Sequence, residues 1–120
     1  IAVERRARID PATVAERSHV SALLADSVGP VIAATDYVRA LPELIRAFVP
    51  RRYLTLGTDG FGRSASRAAL RAYFEVDAIE IMLTALAALV DEGGFDAARL
   101  RQLRKAFGRD QAAFEAPWQR

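Results

Sequence analysis

The sequence predicts an α/β protein in which helices alternate with two parallel strands, and three observations indicate this class. Two short apolar runs, at residues 31–35 and 53–57, are bounded by turn-forming residues, as buried strands are. Apolar residues at helical spacing lie between the two runs. Candidate capping residues precede the other helical segments, so that the whole pattern predicts four to five helices.

The first 27 residues are interpreted as a helical lead-in to the domain. Asp10 followed by Pro11 has the form of a helix start, because Asp caps a first turn and Pro is tolerated at the first helical position. Ser18 is a second candidate cap, and the apolar spacing after it predicts an amphipathic helix over residues 19–27.

Between the strands, one stripe of apolar residues predicts a helix; it consists of Leu41, Leu44, Ile45 and Phe48. Pro42 suits only the first turn, so the helix begins near Ala40 or is kinked around Val38. A strand, a helix and a second strand form one βαβ unit, whose strands should be parallel with a right-handed crossover.

Residues 65–74 predict the next helix, and residues 78–90 form the most apolar segment of the chain. Asp77 precedes this segment and Glu80 follows three residues later, which is the spacing of a capping box. A helix that is apolar all round is buried on all sides. We therefore expect this helix to contact a neighbouring sheet or a partner subunit, with these candidate contact residues: Ile79, Met82 and Leu86.

Asp96 caps a last predicted helix, and residues 109–120 form a tail. The basic residues of this helix are most simply explained as a solvated face. Arg101 and Arg104 are also candidates for contact with a partner protein.

Two buried parallel strands do not make an independently stable sheet. We therefore expect neighbouring strands or a second subunit to lie outside these 120 residues. The chain would then be a single domain, or the C-terminal part of one that lacks its first strands.

The composition excludes several kinds of site. The absence of cysteine excludes disulfides and thiolate ligands, and it fits a reducing, cytoplasmic compartment. A net charge of +2 is too small to indicate nucleic-acid binding, and no apolar run is long enough to predict a membrane span. The single histidine, His19, has no identifiable catalytic partner and is most simply a helix-cap or surface residue. A metal site would need more ligands of the right type than the sequence offers, so we predict no metal-binding residue in this chain.

The turn after the second strand is the main candidate for a binding site. Gly60 and Gly62 let the backbone approach a ligand closely, Arg63 offers a counter-charge and Ser64 can cap the following helix, so the turn could hold a phosphate or carboxylate. A tight packing turn is the simpler explanation. The turn matches neither a Walker A loop nor a complete dinucleotide fingerprint.

Asp36 and Asp59 each follow a threonine at the end of a predicted strand. They should therefore lie at the carboxyl edge of the sheet, where open α/β sheets bind ligands. The simpler explanation is that both carboxylates cap or brace the loops.

Three stretches together carry a resemblance to one family: residues 30–37 (PVIAATDY), residues 56–64 (LGTDGFGRS) and residues 73–77 (YFEVD). They resemble the C-terminal end of the homodimeric type of pyruvate dehydrogenase decarboxylase component, a thiamine diphosphate-dependent member of the transketolase superfamily. The resemblance covers about residues 28–107. Ala65 departs from the acidic residue that the family more usually has between the two serines.

The resemblance implies a three-layer transketolase C-terminal-like domain, with a mostly parallel sheet between helices. It implies a parent enzyme that decarboxylates pyruvate on thiamine diphosphate and Mg²⁺, and then reductively acetylates the lipoyl group of a partner acetyltransferase. The cofactor-binding and catalytic residues of that family belong to preceding domains. This chain is therefore expected to have a structural role that supports the homodimer.

Overall fold

A computed structural model describes residues 2–12, 17–60 and 64–110. Six helices and two strands follow one another along these ranges: α1 (Ala2–Ile9), α2 (His19–Leu24), β1 (Val31–Ala34), α3 (Ala40–Glu43), β2 (Tyr53–Leu56), α4 (Arg67–Tyr73), α5 (Ala78–Asp91) and α6 (Ala97–Ala106). A 3-10 turn, Arg46–Phe48, lies between α3 and β2.

β1 and β2 form a parallel pair in which Val31 lies opposite Tyr53 and Ala34 lies opposite Leu56. The pairing extends to the loop ends, because the Val31 amide donates to the Arg52 carbonyl at 2.8 Å and the Thr35 amide donates to the Leu56 carbonyl at 3.0 Å. The prediction of two parallel strands is thus confirmed. Within the described ranges the sheet has these two strands alone.

α3 begins at Ala40 and places Pro42 in its first turn, where a missing amide proton is tolerated. The predicted single helix through Phe48 does not form. The Ile45 amide already bonds three residues back, to the Pro42 carbonyl, and the backbone continues into the 3-10 turn. The predicted stripe is therefore divided between two short turns.

The caps of α2, α5 and α6 are the predicted ones, since Ser18, Asp77 and Asp96 each accept a bond from an amide of the first turn. The predicted cap of α4 is wrong. Ser66, and not Ser64, accepts a bond from the Ala69 amide at 3.3 Å, so that α4 begins two residues later than expected.

The core lies where α5 packs against β1 and α6. Leu83 and Ala88 of α5 are almost completely buried, and the buried apolar set is completed by Val49, Tyr53, Phe74 and Val76. Most other apolar residues of α5 are half-buried, whereas Ala78 is exposed and Met82 is 37% exposed. Within the described residues, α5 is therefore not buried on every side as its sequence predicts.

The predicted lead-in contains α1 and α2, and most of the predicted tail lies outside the described residues. In the described ranges no helix has the length and apolar character that crossing a membrane requires.

Candidate functional site

The loops that follow β1 and β2 meet at the carboxyl edge of the sheet. The Thr58 amide donates to the Tyr37 carbonyl at 2.9 Å, and the Thr58 hydroxyl donates to the Asp36 carbonyl at 3.0 Å. The Tyr37 amide in turn donates to the Thr35 hydroxyl oxygen at 3.1 Å. The two Thr-Asp pairs are thus brought together, as their positions after parallel strands predict.

Gly57 allows this close approach because it has no side chain. A Cβ at this buried position would lie 2.7 Å from Cγ of Arg39, 2.8 Å from the Arg39 amide nitrogen and 2.8 Å from the Tyr37 carbonyl oxygen. Backbone atoms cannot move aside cheaply, so only glycine fits between the two loops.

Asp59 braces the two loops. Its carboxylate accepts a bond from the Arg39 amide at 2.9 Å and a second bond from Nε of Arg39 at 2.5 Å. Burial alone would raise the pKa of this carboxyl group, but the hydrogen bonds from the Arg39 backbone and side chain outweigh burial and lower the pKa. The simpler explanation of Asp59 as a structural brace is confirmed.

Two adjoining clefts lie beside this edge and share Asp36 and Arg71. The larger, of about 750 Å³, extends between the end of β1, α4 and the start of α5. The smaller, of about 440 Å³, reaches Thr58 and Gly60. Each cleft therefore has a carboxylate and a guanidinium in its wall, so that a small polar molecule would meet both charges there.

The candidate anion-binding turn adjoins the smaller cleft through Gly60, whose φ of 99° lies in the left-handed region that favours glycine. Ser64 is exposed. Gly62 and Arg63 lie outside the described residues, so anion binding by this turn stays a prediction.

A polar network that the sequence analysis missed joins α3 to β2. The Glu43 carboxylate accepts bonds from Nε of Arg46, from Nη2 of Arg46 at 2.7 Å and from the Thr55 hydroxyl at 2.5 Å. The Tyr53 hydroxyl donates to the Pro42 carbonyl at 2.8 Å. Because these partners lie three to twelve residues apart, only the Glu43–Arg46 spacing gave a signal in the sequence.

A second missed network lies between α5 and α6. The buried Glu80 carboxylate has one oxygen 3.7 Å from Nη1 of Arg104 and the other 3.7 Å from Nη1 of Arg109. Nη2 of Arg109 also donates to Oδ2 of Asp77 at 2.5 Å. The predicted capping box is thus half formed: Asp77 caps the Glu80 amide, while the Glu80 side chain turns towards the arginines.

The predicted partner-contact residues have different surroundings. Ile79 and Leu86 are half-buried, whereas Met82 and Arg101 are exposed. Arg104 is half-buried, and its Nη1 lies 3.7 Å from the Glu80 carboxylate. Their contact with a partner stays a prediction.

His19 is the exposed first residue of α2, as expected of a surface histidine. Across the part of the chain that the structure describes, no group of three or more histidine, aspartate or glutamate residues lies together as metal ligands would.

Comparison with known proteins places this geometry in context. A family model described as a transketolase-like TK C-terminal domain matches residues 9–77. A pyruvate dehydrogenase E1 component of Cupriavidus necator is 50% identical over 108 residues, which are 90% of this chain and 12% of that protein. Those of Mycolicibacterium smegmatis and Pseudomonas aeruginosa are 42% and 48% identical over 94% and 80% of this chain.

The chain spans only about an eighth of the length of these relatives, namely 12%, 12% and 11%. The matches confirm the resemblance inferred from the three sequence stretches. They also confirm the predicted fold class, since the parallel strand pair and its helices are part of such an α/β domain.

Proposed function

This chain belongs to the transketolase-like C-terminal domain family, and we propose that it forms the C-terminal part of a pyruvate dehydrogenase E1 component. The observation that carries the proposal is the 50% identity to one such component over 108 residues. The whole polypeptide would decarboxylate pyruvate and reductively acetylate the lipoyl groups of a partner acetyltransferase. It would act in the cytoplasm as a homodimer.

Thiamine diphosphate and Mg²⁺ are the cofactors that we propose for the whole enzyme. In the family that this chain resembles, other domains bind both groups, and we assign cofactor binding in the whole polypeptide to those domains. No group of three or more carboxylate or imidazole side chains lies together among the described residues of this chain, and we derive no catalytic step from them.

The role that we propose for this chain is architectural. The loops at the carboxyl edge of the sheet are fixed by Asp59, Thr58 and Gly57, and α5 supplies the apolar core. Such a unit would support the catalytic domains and the contact between the two subunits.

The test is to purify the full-length protein and to measure pyruvate-dependent reduction of ferricyanide with and without thiamine diphosphate and Mg²⁺. Activity should require both cofactors. 2-Oxobutyrate and 2-oxoglutarate serve as matched substrates, and a clear preference for either over pyruvate would contradict the proposed substrate.

A second candidate function is docking of the acetyltransferase component, and the exposure of Arg101 on α6 favours it. Arg104 is unsuitable as a test residue because it pairs with Glu80. In the full-length enzyme, Arg101→Ala should weaken binding to the acetyltransferase several-fold, whereas Arg67→Ala, an exposed arginine on α4, should not. Equal binding by both variants would remove this candidate.

A further inference from the structure

The apolar contact of α6 with the rest of the described chain is shallow. None of the ten residues of α6 is buried, and its two leucines, Leu100 and Leu103, are half-buried. The helix on which it packs, α5, buries Leu83 and Ala88 almost completely. Because hydrophobic stabilisation is roughly proportional to the apolar area removed from water, α6 itself contributes little of it.

Two adjacent glycines join α5 to α6. Their amides end α5, since Gly93 donates to the Val90 carbonyl at 3.0 Å and Gly94 donates to the Leu89 carbonyl at 2.8 Å. Both glycines are exposed, and a Cβ at Gly93 would have no heavy atom within 4 Å. Gly93 also has a φ of 76°, in the left-handed region. The connection is therefore not fixed by side-chain packing, and glycine lets its backbone angles change at little cost.

The far end of α6 is held to α5 by charge. Gly108 has a φ of 66°, and the Arg109 amide donates to the Arg104 carbonyl at 2.7 Å, so the backbone turns back after the helix. Nη2 of Arg109 then donates to Oδ2 of Asp77 at 2.5 Å. The other oxygen of Asp77 accepts the bond from the Glu80 amide at 2.9 Å. One carboxylate thus caps α5 and also holds the segment that follows α6.

The buried Glu80 carboxylate makes this attachment cooperative. Its two cationic neighbours among the described residues, Arg104 and Arg109, each have Nη1 at 3.7 Å and both belong to the α6 segment. The carboxylates that face it, Glu75 and Asp77, add negative charge. A buried carboxylate that loses its counter-charges is costly unless water reaches it. Both arginines therefore have to leave together, as Glu80 becomes exposed to solvent.

We propose that residues 95–109, which we call the α6 arm, open from α5 as one unit around Gly93 and Gly94, and that the bond between Arg109 and Asp77 keeps the arm closed. Asp77 also lines the larger cleft at the carboxyl edge of the sheet. In the closed arm Arg109 compensates the charge of Asp77, and opening adds an uncompensated carboxylate to the wall of that cleft. This inference does not depend on the proposed function, because every contact on which it rests lies within the described residues.

The experiment is amide hydrogen exchange of the full-length protein, without an acetyltransferase, resolved by peptide mass spectrometry. In Arg109→Gln, peptides of α6 should exchange at least about tenfold faster than in wild type, because a charge-assisted bond that closes the arm is lost. Peptides of β2 should exchange at an unchanged rate. The matched control is Arg101→Gln, which changes an exposed arginine of the same helix and should leave the exchange of α6 as in wild type.

Asp77→Asn tests the other side of the bond. Asparagine keeps an oxygen that caps α5 but removes the negative charge, so α6 should exchange about as fast as in Arg109→Gln. The double variant should exchange no faster than either single variant. Wild-type exchange of α6 in Arg109→Gln overturns the proposal. So does equal acceleration of α6 and β2, which would mean that the whole domain is destabilised, and so do additive effects in the double variant.

Wild-type protein provides the test if Arg109→Gln does not fold. Exchange is then followed at increasing, non-denaturing concentrations of guanidinium chloride. The amides of α6 should converge on one opening free energy that is lower than that of β2. Exchange of α6 only together with β2, in global unfolding, overturns the proposal.

Discussion

Glu43 beside the sheet and Glu80 at the start of α5 both face arginine side chains, yet their pKa values move in opposite directions. The Arg46 side chain and then the Thr55 hydroxyl donate directly to Glu43, and they lower its pKa from the ordinary 4.5 to about 2. Burial raises the pKa of Glu80, and the nearby carboxylates of Glu75 and Asp77 raise it further. Arg104 and Arg109, each 3.7 Å away, only partly oppose these effects. A directly bonded arginine outweighs desolvation, and a more distant one does not.

The two regions around these glutamates also differ in the interactions that hold them together. The sheet edge, with α3, is held by polar bonds to loops and leaves Leu44 exposed to solvent. The α5–α6 pair is held by apolar burial around Leu83 and encloses a charged residue, Glu80. Polar bonds thus fix the position of α3, whereas hydrophobic burial supplies most of the stability at α5.

The largest expected effect follows from truncating the same residue type in both regions. Leu83 is fully buried, so Leu83→Ala should lower the free energy of unfolding by about 3 kcal/mol through lost burial and a cavity. Leu44→Ala should change it by less than about 0.5 kcal/mol in this chain, because Leu44 is 74% exposed. Urea unfolding of the two variants measures both values. Equal losses of unfolding free energy would contradict the difference in stability that we expect between the two regions.

At the sheet edge, the next largest effect is expected for Gly57→Ala. The new Cβ would lie within 2.8 Å of two backbone atoms, so we expect a loss of about 2 kcal/mol in unfolding free energy. Gly94→Ala is the matched control near the end of α5, because its nearest heavy atom would be 3.6 Å away. Urea unfolding that finds Gly57→Ala as stable as Gly94→Ala would show that the loops do not need this close approach.

Local signals explain which parts of the fold could be predicted from sequence. Ser18, Asp77 and Asp96 cap helices because their side chains bond to amides only two or three residues away, and such spacing is visible in a sequence. The parallel strand pair was predicted for a similar reason, since a helix between two apolar runs leaves few alternatives.

The parts that failed depend on contacts between distant residues. The orientation of α3 is fixed by the bond between Glu43 and Thr55, which lie twelve residues apart, so no local spacing indicates it. Glu80 has the spacing of a capping box, but its carboxylate faces Arg104 and Arg109 of the following segment. Of the predicted binding turn, Gly60 has a left-handed backbone that suits glycine, while ligand binding stays a prediction.

The pH dependence of stability sharpens the comparison, and the larger effect is expected at Glu43. Its folded pKa of about 2 lies below the ordinary 4.5, so the ionised carboxylate stabilises the fold above pH 4.5. That contribution is lost as the pH falls from 4.5 towards 2. In urea unfolding, the advantage of wild type over Glu43→Gln should therefore shrink as the pH is lowered through this window. An advantage that does not change with pH would mean that the bonds from Arg46 and Thr55 contribute nothing to folding.

At Glu80 the sign is reversed and the effect is smaller, because the arginines oppose the burial. A folded pKa raised above 4.5 means that the folded state binds the proton more tightly than the unfolded chain does. The unfolding free energy of wild type relative to Glu80→Gln should therefore rise as the pH is lowered towards 4.5, and it should level off below that value. Glu80→Gln keeps the shape of the side chain, so the difference isolates the proton. A dependence of the same sign as that of Glu43 would show that Arg104 and Arg109 bind Glu80 closely enough to overcome its burial, and the two regions would then differ only in their apolar contacts.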